Sequence, residues 1–205
     1  MVLRKELSKF PVYVPNIITI ARIFSVPVMI WMIVTDNLFS AFFLFLVAGL
    51  SDALDGFLAR RFHWQTELGA YLDPIADKTM LTSVYTALAF HGHIPIWLGI
   101  LVVSRDLLIV GAVVLAWLLE RPLKIRPMLI GKVNTGLQIG LAAAVLAEKG
   151  LELAWRPYIV PLIWVTGLLT ALSAFLYLAA WLRHMASYDI NGGINKPGPG
   201  SRAVL

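Results

Sequence analysis

Between Ser51 and Lys78 the chain reads S-D-A-L-D-G-F-L-A-R-R-F-H-W-Q-T-E-L-G-A-Y-L-D-P-I-A-D-K. Four aspartates, Asp52, Asp55, Asp73 and Asp77, stand in this stretch with strongly apolar sequence on both sides. A carboxylate kept at membrane depth is costly and usually has a partner and a task. One such aspartate is readily explained by a proton relay or a helix-packing hydrogen bond; four in one pattern are not. Asp52 and Asp55 are spaced i, i+3, and Asp73 and Asp77 are spaced i, i+4, so each pair shares one face of a helix. Crowded carboxylates repel unless something positive sits between them. An oxygen-only donor set without His or Cys selects hard cations, Mg²⁺ or Mn²⁺. Mg²⁺ keeps waters and binds few carboxylates plus substrate phosphates, which points to a phosphate-bearing substrate. Two ions about 4 Å apart could stabilise both the attacking and the leaving oxygen of a displacement at phosphorus. Asp77 is the candidate general base, taking a proton from an alcohol.

Small residues follow the same register. Gly56 lies one turn after Asp52, Ala59 one turn after Asp55, and Gly69 one turn before Asp73. Such a face lets a flat or bulky group approach the backbone; packing against another helix is the alternative reading. Arg60 can reach a phosphate at the mouth of the site.

The elements that must hold these residues are membrane helices. Of 205 residues, 59% are hydrophobic and 14% charged, against roughly 45–50% and ~25% for soluble domains. There are no cysteines, hence no disulfide and no thiolate ligand or nucleophile. Residues 1–13 lack the apolar core and cleavage site of a signal peptide, so the first apolar span is expected to stay as an anchor. Six apolar spans are predicted at about 15–35, 38–61, 69–90, 94–119, 129–148 and 158–182, each near the ~20 residues that cross a bilayer. Short connections predict antiparallel packing of successive helices, with the second and third forming a hairpin whose acidic faces meet.

The fold expected is therefore an all-α membrane protein of six transmembrane helices (15–187). A short interfacial or cytoplasmic segment (1–14) precedes it, and a disordered tail (188–205), rich in Gly, Pro and Asn, follows. Arg4, Lys5, Lys9, Arg60, Arg61, Arg121, Lys124, Arg126, Lys132, Arg183, Lys196 and Arg202 fall on one side of this arrangement. Lys149 and Arg156 fall on the other. The positive-inside rule then places both termini, and the aspartates, on the cytoplasmic side. The net charge of +5 is read as this bias and as affinity for anionic lipid; no nucleic-acid partner is expected.

The run Asp52-x-x-Asp55-Gly56-x-x-Ala59-Arg60, eight residues, Gly69-x-x-x-Asp73-x-x-x-Asp77 resembles the signature of the CDP-alcohol phosphotransferase family in every defining position. With the six-span layout, the resemblance covers nearly all of residues 10–185. It implies attack of an alcohol on a CDP-linked donor, loss of CMP and formation of a phosphodiester. It implies that Asp52, Asp55 and Asp73 hold divalent ions, two in number, that grip the pyrophosphate. Asp77 joins them at the metal site and serves as the base. Gly56, Ala59 and Gly69 would line the cytidine site, and Arg60 would meet the donor phosphates. A homodimer is implied, in a bacterial cell (inner) membrane with the site facing the cytoplasm.

The stretch P-N-I-I-T-I-A-R, with Asn16, Thr19 and Arg22, looks like the first span of members whose donor is CDP-diacylglycerol. An N-cap role for Asn16 and a back-bonded helical role for Thr19 are the alternatives. Arg105 in the fourth span, with Lys132 and Arg126, could form a cationic pocket for an anionic, glycerol-containing acceptor. Alternatively Arg105 pairs with Asp106, and Lys124 and Arg126 serve only as anchors. Two acceptors fit: phosphatidylglycerol and glycerol 3-phosphate. The S-R-D and K-I-R-P-M-L-I-G-K-V-N-T segments look more like the cardiolipin-forming branch of the family than the phosphatidylglycerophosphate-forming one. Readings of a different class, an ion-coupled transporter or an inactive scaffold, stay open. Against the first, the carboxylates gather on one side of the bilayer and have no inverted second copy.

Overall fold

The computed structural model of the chain describes residues 10–62, 67–118 and 129–194, with side chains over 18–54, 61, 76–112, 114–115, 118, 129–183 and 185. The described residues form six helices: α1 (Phe10–Val34), α2 (Leu38–Phe62), α3 (Glu67–Phe90), α4 (Ile96–Leu118), α5 (Leu129–Gly150) and α6 (Arg156–Ile194). The all-helical class and the number and order of the helices agree with the sequence pattern. Among the described residues, Leu129–Gly150 and Arg156–Arg183 are long and apolar enough to cross a membrane, and Ile18–Val34 and Leu38–Leu54 are shorter apolar stretches.

Two boundaries differ from expectation. Helix α1 is described from Phe10, inside the segment read as separate. Helix α6 continues to Ile194, through Tyr188–Gly193, where a tail without structure was expected. Extending a formed helix adds one bond per residue fixed, and the sequence has no proline there before Pro197.

The turns between α1 and α2, α3 and α4, and α5 and α6 lie at one end of the bundle and share one device. After each helix a single residue takes a left-handed backbone: Asp36 (φ 55), Gly92 (φ 72) and Glu152 (φ 52). The next amide reaches back to close the helix: Asn37 N to Met32 O at 2.9 Å, His93 N to Leu88 O at 2.9 Å, Leu153 N to Glu148 O at 2.9 Å. This 6→1 bond satisfies carbonyls the helix would otherwise leave open. Asn37 Oδ1 then accepts from Ser40 N at 3.4 Å and caps α2.

Sequence neighbours pack as α1–α2, α3–α4 and α5–α6, while α1–α3, α2–α5 and α4–α6 close a ring in the order α1, α2, α5, α6, α4, α3. Among the described residues α2 and α3 have at most marginal contact. α1 packs on both of them, and the part of the expected α2–α3 hairpin nearest its connection lies outside the residues whose side chains are described.

The core gathers Met29, Ile33, Tyr85, Leu88, Leu98, Val102, Leu141, Val145, Leu146 and Ile159, all nearly inaccessible. Gly150 lets α5 close onto the start of α2, because a Cβ there would stand 2.6 Å from Leu38 O. Outward-facing side chains are apolar too, among them Phe24, Trp31, Leu107, Trp164 and Phe175.

Candidate active site

Asp52 lies in the second half of α2 and Asp77 in the first half of α3, at the end of the bundle away from the three turns. Arg22 of α1 stands between them. Its Nη1 is 2.7 Å from Asp52 Oδ1 and 2.7 Å from Asp77 Oδ1. The Arg22 side chain is 2% exposed, against 40% for Asp52 and 50% for Asp77. Guanidinium keeps its charge at any ordinary pH, so a buried one needs anions. The two carboxylates, still half open, are what Arg22 is held by.

These three residues and Lys78 line a cavity of about 280 Å³. Its remaining wall is mostly apolar, with Phe45, Leu46, Ala48 and Gly49 from α2, Met80 and Leu81 from α3, and Ile139 and Ala143 from α5. A polar rim on an apolar hollow suits an amphiphile with its charged group at the carboxylates.

A second charged group adjoins the first. Lys78 Nζ is 2.7 Å from Asp106 Oδ1, and Arg105 Nη1 is 2.6 Å from the same oxygen. Asp106 is 8% exposed and Arg105 3%. Arg105 Nη2 also donates to Ser173 Oγ at 3.2 Å, and its guanidinium carbon lies 5.8 Å from the Tyr177 ring centre. Gly131 lets α5 close over this group: a Cβ there would meet Tyr177 OH at 2.9 Å and Arg105 Nη2 at 3.5 Å. From here a polar seam runs inward. Thr170 Oγ1 donates to Asn134 Oδ1 at 2.9 Å, Gln138 Nε2 donates to Thr170 Oγ1 at 3.2 Å, and Tyr85 OH donates to Gln138 O at 2.9 Å.

Residues 12–182 match the CDP-alcohol phosphatidyltransferase family. The chain belongs to this family. Among its relatives, a human protein named cardiolipin synthase (CMP-forming) is 33% identical over 188 residues, covering 84% of this chain and 62% of the relative. A rice protein named CDP-diacylglycerol–glycerol-3-phosphate 3-phosphatidyltransferase 1, chloroplastic, is 38% identical over 183 residues, covering 80% and 55%. A Shigella flexneri protein named CDP-diacylglycerol–glycerol-3-phosphate 3-phosphatidyltransferase is 30% identical over 176 residues, covering 82% and 93%. The chain thus spans less than two thirds of the human and rice relatives and nearly all of the bacterial one.

The family signature is distributed over two helices as its spacing requires. Asp55, Gly56, Ala59 and Arg60 sit on α2, and Gly69 and Asp73 on α3, but their side chains lie outside the described residues. So do Asn16, on α1, and Arg126. Thr19 is fully buried, one turn before Arg22. Lys132 is exposed, next to Gly131. Of the two readings of Arg105, pairing with Asp106 is the one present.

Among the described residues no three acidic or histidine side chains gather around one point. Asp52 and Asp77 nevertheless aim one oxygen each at a common cationic position, now held by Arg22. An all-oxygen donor pair that already converges on a cation fits a hard divalent ion.

Sequence reading passed over the α1–α2–α3 bridge and the part of Lys78. A signal existed for each. Arg22 and Lys78 are basic residues inside predicted spans, and an intramembrane cation implies a partner. The i, i+4 repeats Asn134/Gln138 and Thr166/Thr170, inside apolar runs, likewise marked the seam.

Proposed function

We propose that the chain is a divalent-metal-dependent phosphatidyltransferase of phospholipid biosynthesis, moving the phosphatidyl group of CDP-diacylglycerol to phosphatidylglycerol to give cardiolipin and CMP. The observation that carries the reading is the complete family signature with Asp52 and Asp77 converging on one cation. Asp52, Asp55, Asp73 and Asp77 hold Mg²⁺ or Mn²⁺, two ions, which when bound neutralise the pyrophosphate charge. Gly56, Ala59 and Gly69 admit the cytidine, Arg60 meets the donor phosphates, and Asn16 and Thr19 belong to the donor side. Asp77 takes the proton of the acceptor hydroxyl. That oxygen forms a bond to the phosphatidyl phosphorus, the bond to the CMP oxygen breaks, and CMP leaves with the electron pair. Arg105, Lys132 and Arg126 attract the anionic acceptor.

Glycerol 3-phosphate is the second acceptor reading. It is favoured by the bacterial relative so named, which this chain covers over 93% of its length. The protein is read as six spans with both termini and the site on the cytoplasmic side, in a bacterial inner membrane and as a homodimer. The outward apolar side chains Phe24, Trp31, Leu107, Trp164 and Phe175 support embedding in lipid, and the Lys/Arg bias supports the orientation.

The test is an acceptor panel. Purified protein in detergent receives labelled CDP-diacylglycerol, Mg²⁺ or Mn²⁺, and one acceptor at a time: phosphatidylglycerol, glycerol 3-phosphate, inositol phosphate, serine or choline. CMP and cardiolipin are expected with phosphatidylglycerol. Product with glycerol 3-phosphate alone selects the second reading. No CMP with any acceptor overturns the transferase itself.

A further inference from the structure

Arg22 stands outside the roles just given, yet it occupies the oxygens those roles require. One nitrogen, Nη1, is 2.7 Å from Oδ1 of Asp52 and 2.7 Å from Oδ1 of Asp77. It comes from a third helix, α1, which packs on both α2 and α3. With α2 and α3 at most marginally in contact, Arg22 is the described link between the two halves of the signature. A divalent ion on the same oxygens would sit about 2.0–2.1 Å from them. Its charge would then face a buried guanidinium a few ångströms away. The two cations cannot share Asp52 and Asp77 at those distances. The adjoining cavity of about 280 Å³, which Arg22 lines, gives the side chain a place to turn into.

We propose that Arg22 is a built-in counter-cation of the carboxylate site, competing with divalent ions for Asp52 and Asp77 and moving off them when ions bind. It is a positioning residue. It neutralises two mutually repelling carboxylates while no ion is bound and, by competing for their oxygens, sets how tightly the site takes one. The proposal rests on the reading of these aspartates as the ion site.

The test measures ion binding without substrate or turnover. Free Mn²⁺ is followed by its paramagnetic resonance signal while Mn²⁺ is titrated into full-length protein in detergent: wild type, Arg22→Met, Arg22→Lys and Asp52→Asn. Arg22→Met is expected to bind Mn²⁺ about 10-fold tighter or more, the scale on which one neighbouring charge shifts an ionic equilibrium. Arg22→Lys is expected near wild type. Equal or weaker binding by Arg22→Met overturns the proposal. Wild-type protein gives a second readout, free of any folding defect: the rate at which phenylglyoxal modifies Arg22, located by mass spectrometry, should rise on adding Mg²⁺. An unchanged or slower rate overturns it too. Binding by Asp52→Asn that equals wild type overturns the ion-site reading beneath it. Loss in Asp52→Asn with no gain in Arg22→Met sinks the counter-cation role alone.

Discussion

The two ends of the bundle solve opposite problems. At the turn end, three helices stop on left-handed residues, their last carbonyls are bonded back, and Gly150 lets backbone close on backbone. Backbone polar groups are satisfied locally, and apolar side chains fill the remaining space. At the carboxylate end, charges from different helices are left to settle one another: Arg22 with Asp52 and Asp77, Arg105 and Lys78 with Asp106. A cavity opens beside them. One end spends its polar groups on ending helices. The other keeps Asp52, Asp77 and Lys78 part exposed, where a substrate or an ion can exchange for a protein partner.

If that division holds, single changes at the two ends should differ in kind. The largest expected effect is on turnover. Asp77→Asn should cut CMP release by about 10²–10⁴-fold, the range of a general base, with donor binding largely kept. Asp36→Asn, at the turn end and half the bundle away, should leave turnover within about a factor of two. Equal losses from both would erase the contrast.

Stability comes next. Asp106→Asn strips the main partner from a buried Arg105 and should cost about 3 kcal/mol, read as a fall in the thermal midpoint in detergent. Lys78→Met, removing a cation 41% exposed, should cost less than about 1 kcal/mol. The order of these two, more than either size, tests whether Asp106 serves Arg105 first.

A smaller effect is expected from glycine. Gly150→Ala puts a methyl 2.6 Å from Leu38 O and should destabilise by about 1–3 kcal/mol. Gly140→Ala, on the same helix with nothing within 4 Å, should be neutral or stabilising by up to about 1 kcal/mol.

The smallest concerns pH. His93 Nε2 lies 3.4 Å from Asp36 Oδ1, joining the α3–α4 turn to the α1–α2 turn. Burial lowers its pKa from the usual 6.5, the stronger influence, while Asp36 opposes it and Lys149 and His91 add to it. A histidine whose folded pKa is depressed binds its proton less readily than in the unfolded chain. Its contribution to stability is therefore present above 6.5 and is lost as pH falls below it. Thermal midpoints of wild type and His93→Gln measured from pH 8 to 5 should converge toward the acid end. Parallel curves would remove His93 from the turn end's account.

Six helices, their order and most of their limits were legible in the sequence, because apolar runs of this length leave the backbone one way to satisfy its own polar groups. Helix ends were less so. The continuation of α6 to Ile194 depends on elongation from a helix already formed, which composition does not reveal. The carboxylate pairs were legible because i, i+3 and i, i+4 spacing is local geometry. So was the Arg105–Asp106 pair, as an alternative.

What the chain decides by itself is chemistry at short range: which residues share a helix face, that oxygen-only ligands ask for a hard cation, and that the signature is the family's. The tertiary structure alone decided what lies between the two carboxylate faces. Arg22 is 30 positions before Asp52 in sequence and 55 before Asp77, and no periodicity links them. Its place is where a buried guanidinium finds anions: α1 packs on both α2 and α3 and brings Arg22 to Asp52 and Asp77.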